Sequence, residues 1–112
     1  MIDASYTEED KTVIEESVRR LRKSMTAERI YLFGSRARGE ANNDSDYDFV
    51  VVIHDSPLPR YKRAQQAYRA LWGLRVAKDV VVYTHKEFDD GLAVISSLPA
   101  TVAREGKLLY GR

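Results

Sequence analysis

The run Asp46-Tyr47-Asp48-Phe49-Val50-Val51-Val52-Ile53 constrains this chain more than any other stretch. Its apolar half reads as a core strand. In a strand, residues two apart share a face and lie roughly 7 Å apart along the chain. Asp46 and Asp48 therefore project together, and Tyr47 and Phe49 face the other way. Two like charges side by side repel unless a cation, a proton or an arginine intervenes. A solvated or arginine-paired strand end is one way to hold them. The other is a hard divalent cation, and Mg²⁺ commonly takes one or two carboxylates plus substrate phosphates.

The flanking segments supply layers for that strand to pack in. Thr7-Glu8-Glu9-Asp10 starts a helix, with Thr7 as cap and three acids against the positive helix end. Val13, Ile14, Val18, Leu21 and Met25 continue it at helical spacing over 8–24. Residues 29–33 form a short strand stopped by Gly34, and 35–40 a short helix. A turn-rich loop spans 41–45. Residues 60–72 read as a helix and 75–84 as a third strand. Thr84-His85-Lys86-Glu87 resembles a capping box that opens another helix. Pro99 starts a last short helix ending at Gly106, and 107–110 form an extended tail. The order α-β-α-β-α-β-α-α predicts an α/β (α+β) fold, a small mixed sheet flanked by helices in one domain over 1–112. Periodicity alone leaves the sheet order open.

Composition narrows the chemistry. The 112 residues carry no cysteine, which removes disulfide scaffolds and Cys-based zinc or iron–sulfur sites. His54 and His85 are the only histidines, so a three-histidine centre within the chain is excluded as well. No stretch approaches the roughly 20 apolar residues of a membrane span. Residues 1–5 lack the basic-then-apolar pattern of a signal peptide, so a cytoplasmic protein is expected. Charge is segregated. Residues 19–38 hold seven Lys/Arg against Glu28, 40–55 hold five acids and no Lys/Arg, and 60–78 hold six Lys/Arg and no acid. An acidic island between two basic blocks reads either as solvated helix faces or as a cation site flanked by anion-attracting surface.

Two further features point to the second reading. Gly34 lets the backbone approach a ligand closely, and Ser35 places a hydroxyl at a helix start, where N–H groups point outward to anions. Arg36 and Arg38 add cationic donors. A plain turn with a helix cap would use the same Gly-Ser pair. Asp79 sits inside Val76-Ala77-Lys78-Asp79-Val80-Val81-Val82-Tyr83. Alone it would serve as an edge-strand charge against aggregation. With Asp46 and Asp48 it completes three carboxylates on adjacent strands, a set that can clamp two metals for an in-line displacement.

Gly34-Ser35, ten residues, then Asp46-Tyr47-Asp48 resembles the signature of the DNA polymerase β-like nucleotidyltransferase superfamily. The fuller string Gly34-Ser35-Arg36-Ala37-Arg38-Gly39…Ser45-Asp46-Tyr47-Asp48, with the small size, is similar to the minimal nucleotidyltransferases. These include antitoxins encoded beside HEPN-domain ribonuclease toxins. The resemblance implies that Asp46 and Asp48 ligate metal, and that Asp79 completes the metal site and helps deprotonate the attacking hydroxyl. It implies that Gly34 and Ser35 hold the nucleotide's β- and γ-phosphates, with Arg36 or Arg38 as auxiliary cations. The implied reaction is Mg²⁺-dependent transfer of AMP from ATP to a hydroxyl, a tyrosine's, on a partner HEPN toxin.

Only about 60 residues follow Asp48, and they are needed to finish the sheet. The chain holds little material for an acceptor pocket, so a homodimer mate or another protein must supply that wall. This favours a protein acceptor over an antibiotic or a nucleic acid. Neutralisation by docking alone and aminoglycoside-type nucleotidyl transfer are the competing readings. Intact Asp46, Asp48 and Asp79 argue against the first, and the missing second domain against the other. Tyr68 and Trp72 read as helix core or an interface patch. The helix over 60–72 is expected to lie partly in a protein interface through Tyr61, Tyr68, Leu71 and Trp72, with Arg63 and Arg69 as charge contacts.

Overall fold

The computed structural model describes residues 6–42 and 45–112. The readings of residues 1–5 and of Asn43 and Asp44 in the loop lie outside them. The elements are α1 (Glu8–Ser24), β1 (Ala27–Phe33), α2 (Ser35–Arg38), β2 (Tyr47–Ile53), α3 (Arg60–Ala70), β3 (Lys78–Thr84), α4 (His85–Leu92), α5 (Leu98–Glu105) and β4 (Lys107–Tyr110). Helix α1 has the predicted bounds. The Thr7 side chain accepts from the Asp10 backbone while the Asp10 carboxylate takes the Thr7 N–H, a capping box. Thr84 and Glu87 build the same device at α4. Helix α3 ends at Ala70, two residues short of the expectation, and the extended tail is the strand β4.

The sheet order is β3-β2-β1-β4. Strand β1 runs antiparallel to β2 and β4, and β2 runs parallel to β3. A parallel pair needs a crossover, and α3 provides it. The continuous apolar run of β2 follows from burial on both faces. Phe49, Val51 and Ile53 pack with Ile14, Leu21, Ile30, Leu32, Ala67 and Leu71 toward α1 and α3. Val50 and Val52 pack on the other face with Tyr31, Tyr83, Phe88 and Val102 toward α4 and α5. Phe88 stacks on Tyr31 at 5.6 Å and meets the edge of Tyr83 at 6.1 Å between ring centroids. Each such side chain contributes about 1.5–3 kcal/mol on burial.

This topology decides where the polar ends of the strands go. Parallel β2 and β3 begin at the same edge of the sheet, and antiparallel β1 ends there. Phe33 pairs with Asp48, and Asp48 pairs with Asp79. One row across three strands therefore joins the end of β1, the carboxylate of β2 and the carboxylate of β3.

Candidate active site

At the end of β1 the chain turns through Gly34, whose φ of 77° and ψ of −157° form a backbone conformation open to glycine. Space imposes the same choice, since a Cβ there would lie 2.5 Å from Asp48 Oδ2. The Gly34 carbonyl accepts from the Ala37 and Arg38 N–H groups at 3.1 and 3.2 Å and so starts α2. The half-buried Ser35 hydroxyl makes no hydrogen bond among the described residues, and a ligand oxygen would find a donor there. Backbone thus presses directly against the β2 carboxylate.

Asp48, half-buried, has its carboxyl pushed above the ordinary range by burial first, and then by the charges of Asp46 and Asp79. Asp48 therefore stands close enough to feel both of the other predicted acids. Among the described residues, no Lys or Arg nitrogen lies within ion-pair distance of any of them. Arginine pairing, one of the two ways to hold the acids, is absent at this strand mouth. Unbalanced carboxylate oxygens are the donor set that a hard divalent cation takes. They do not form a closed cage. Among the described residues, no group of three or more His, Cys, Asp or Glu is gathered closely enough to hold a metal ion alone. The donor set fits Mg²⁺ in its usual manner, with a few carboxylates and the remaining positions left to water and phosphate oxygens.

Tyr68 is the residue that sequence reasoning missed. Its hydroxyl donates to Asp79 Oδ1 and accepts from the Val80 N–H at 3.1 Å. Burial raises the phenol above its ordinary pKa, and the Asp79 hydrogen bond and the Asp79 and Asp48 charges add to this. Tyr68 thus holds one oxygen of Asp79 and leaves the other to a ligand. Only the crossover geometry, which lays α3 along the edge strand β3, reveals this contact.

Arg36 corrects the reading of it as an auxiliary phosphate cation. Its side chain is buried and turned to Asp10, 2.9 Å away, and to the carbonyls of Ser45 and Asn42. The guanidinium stacks 3.9 Å over the Tyr47 ring, and the Tyr47 hydroxyl donates to the same Asp10 oxygen at 2.5 Å. Burial works to raise Asp10, but the Tyr47 hydroxyl, the Thr7 contacts and Arg36 together hold it below the usual carboxylate range. Arg36 therefore ties the loop before β2 to the start of α1, a positioning task. Arg38 is exposed at the end of α2 and pairs with Glu40 at 2.5 Å.

Arg63 likewise leaves the expected interface. It is 5% exposed and spans Glu87 with two bonds of 2.7 and 3.0 Å, besides the Val82 and Leu58 carbonyls. Leu71 is fully buried. Trp72 at 84%, Tyr61 at 62% and Tyr68 at 36% remain exposed. A recess of about 750 Å³ lies between α1 and the β1–β4 edge and includes none of the three acids. Among the described residues, no helix is long and apolar enough to cross a membrane.

Comparison with known proteins agrees with this geometry. A curated relative, the protein adenylyltransferase MntA of Thermococcus cleftensis, is 36% identical over 70 residues, covering 62% of this chain and 71% of the relative. A crystal structure of a toxin–antitoxin with AMP-PNP superposes with a TM-score of 0.60 at 26% identity, over 88% of this chain and 73% of that one. A mutant of the toxin–antitoxin MntA-HpeT superposes at 0.59 with 24% identity over the same shares, a likeness of fold. Residues 12–106 match the nucleotidyltransferase domain family. That match spans most of the sheet and both sides of the acid cluster, and the chain belongs to this family, as a minimal nucleotidyltransferase of the DNA polymerase β-like superfamily.

Proposed function

We propose that this chain transfers AMP from ATP to a tyrosine hydroxyl of a partner HEPN ribonuclease toxin, and so acts as its antitoxin. The observation that carries the reading is the row Phe33–Asp48–Asp79, where the Gly34 backbone just after β1 meets the two carboxylates and, among the described residues, no Lys or Arg nitrogen lies within ion-pair distance of them. The MntA relative is a protein adenylyltransferase, and a structural neighbour is a toxin–antitoxin with an ATP analogue; both support a protein acceptor.

In this reading Asp46 and Asp48 hold Mg²⁺, with Asp79 completing the set. When bound, Mg²⁺ neutralises phosphate charge and stabilises the attacking and leaving oxygens. Gly34 admits the triphosphate close to the backbone, and Ser35 and the α2 N–H groups donate to its β- and γ-oxygens. Arg38, which has only an exposed partner, is the cation able to swing toward them. The acceptor oxygen forms a bond to the α-phosphorus, the bond to the β-phosphate oxygen breaks, and pyrophosphate leaves with the electron pair. The hydroxyl proton passes to Asp79. The added AMP brings negative charge and bulk to an RNase surface that must bind phosphate. The cytosol is the expected compartment.

Incubation with labelled ATP, Mg²⁺ and a candidate HEPN toxin, followed by intact mass, tests the reading. A mass gain of one or more AMP on the toxin is expected, lost with EDTA or with Asp46→Asn. An unmodified toxin that is nonetheless silenced would establish docking alone.

A further inference from the structure

Helix α3 and the turn after it carry a recess of about 350 Å³ lined by Gln65, Tyr68, Arg69 and Trp72. Its aromatic floor is held in place. The Trp72 N–H donates to the Arg69 carbonyl at 3.2 Å, and the Trp72 carbonyl accepts from Arg20 on α1 at 2.7 Å. The most exposed large apolar side chain among the described residues therefore stands on an anchored backbone. The recess is also joined to the acid cluster, because Tyr68 is both its wall and the donor to Asp79. Sheet order gives it a side. Gly34 approaches Asp48 from β1, whereas Asp79 and Tyr68 approach from β3. In an in-line displacement the nucleophile enters opposite the leaving group. With pyrophosphate leaving toward Gly34 and Ser35, the nucleophile enters over β3 and α3.

We infer that the Gln65–Tyr68–Arg69–Trp72 ledge is the acceptor subsite and seats the tyrosine-bearing, acidic segment of the partner protein, an inference that rests on the proposed protein adenylyl transfer. The aromatic pair offers a stacking face to an incoming phenol. The charge preference follows from the surroundings. Residues 60–78 contain no acid, the Asp79 carboxylate beside the ledge is engaged by the Tyr68 hydroxyl, and the exposed Arg69 has no carboxylate within ion-pair distance among the described residues. An acidic segment supplies the missing partners.

Trp72 is the only tryptophan, so its fluorescence reports on the ledge alone. The probe is a random glutamate–tyrosine copolymer, excited where tyrosine is silent, with a lysine–tyrosine copolymer as the counter-probe. The expected result is a blue-shifted, altered Trp72 emission with the acidic copolymer and an unchanged one with AMP-PNP and Mg²⁺ alone. Arg69→Glu should weaken the copolymer response about tenfold, a loss of about 1.4 kcal/mol. It should leave the AMP-PNP affinity, read by the displacement of a fluorescent ATP analogue, as it was. A response to AMP-PNP alone would make the ledge a nucleobase platform and overturn the inference. So would an equal response to both copolymers, or silence toward both. Any of these leaves the adenylyl-transfer reading to the labelled-ATP experiment on the toxin, so the two fail separately.

Discussion

Carboxylates are used in two opposite ways in this molecule. At the mouth of the sheet Asp46, Asp48 and Asp79 stand together, and burial and mutual repulsion push Asp48 above its ordinary range. At two other places a carboxylate meets a buried arginine. Asp10 meets Arg36, and Glu87 meets Arg63, which draws the Glu87 carboxyl down to about 2. Each arginine also takes up backbone carbonyls, so its donors are spent within the fold. A charge whose complement lies in the same chain is scaffold. A charge cluster whose complement is missing is where the proposed function places its ligand.

The sharpest break in this contrast comes from removing one charge on each side. Asp48→Asn should lower AMP transfer about a thousandfold or more, the scale for losing a central electrostatic contact to the reacting group. The variant should remain folded, by circular dichroism and by cooperative melting. A variant with near-normal transfer would remove Asp48 from the reaction centre.

On the scaffold side the loss should fall on stability. Arg63→Ala takes the arginine donors from Glu87 and two carbonyls, and Arg36→Ala does the same to Asp10 and the Ser45 carbonyl. Removing one partner of a buried pair costs about 3–5 kcal/mol. With Glu87 about one-third exposed, Arg63→Ala belongs at the low end of that range. Denaturant melts measure it. Arg63→Lys should recover little, because one ammonium cannot make the two-pronged contact.

This pair of outcomes also measures how far the amino-acid order speaks for itself. The strand mouth was legible in part because its signals are local: Gly34-Ser35 ends a strand, and the Asp46–Asp48 spacing leaves Asp46 close enough to raise Asp48, although β2 begins at Tyr47, one residue later than expected. The caps at Thr7 and Thr84 were legible for the same reason. The meeting of Asp48 with Asp79 needed the sheet order, which periodicity does not contain. The arginines were misread because a long side chain carries no directional signal. Arg36 finds Asp10 across 26 positions and Arg63 finds Glu87 across 24, while Arg69 on the same helix faces solvent. The contact of Tyr68 with Asp79 was not legible for the same reason, since its hydroxyl serves a residue 11 positions on through a crossover.

Acid titration separates the two kinds of carboxylate further. Glu87 is held at about 2 from an ordinary 4.5, chiefly by its Arg63 hydrogen bonds. A lowered folded pKa favours the folded state once the unfolded side chain is ionised. That stability is full above about pH 4.5 and disappears as pH falls through about 2. Glu87→Gln should therefore show a flatter fall of melting temperature across that window than the parent. Identical slopes would mean that the pair is screened by solvent in the folded protein.

The smallest effect has the opposite sign, and it tests the acid cluster without any chemistry. A carboxyl whose folded pKa is raised destabilises the fold when it is ionised, because folding buries its charge and brings it toward Asp46 and Asp79. Asn keeps the shape of Asp48, removes that charge, and can donate to a neighbouring carboxylate. In a chelator-containing buffer at neutral pH, Asp48→Asn should therefore be slightly more stable than the parent. Solvent reaches the half-buried site, so the gain stays under about 1 kcal/mol. Adding Mg²⁺ with AMP-PNP should reverse the order, because the parent binds the pair and is stabilised through linkage while the variant is not. The crossing of the two melting temperatures is the measurement. A variant that is less stable in chelator would mean that Asp48 supports the fold, and that the strand mouth is scaffold like the arginine pairs.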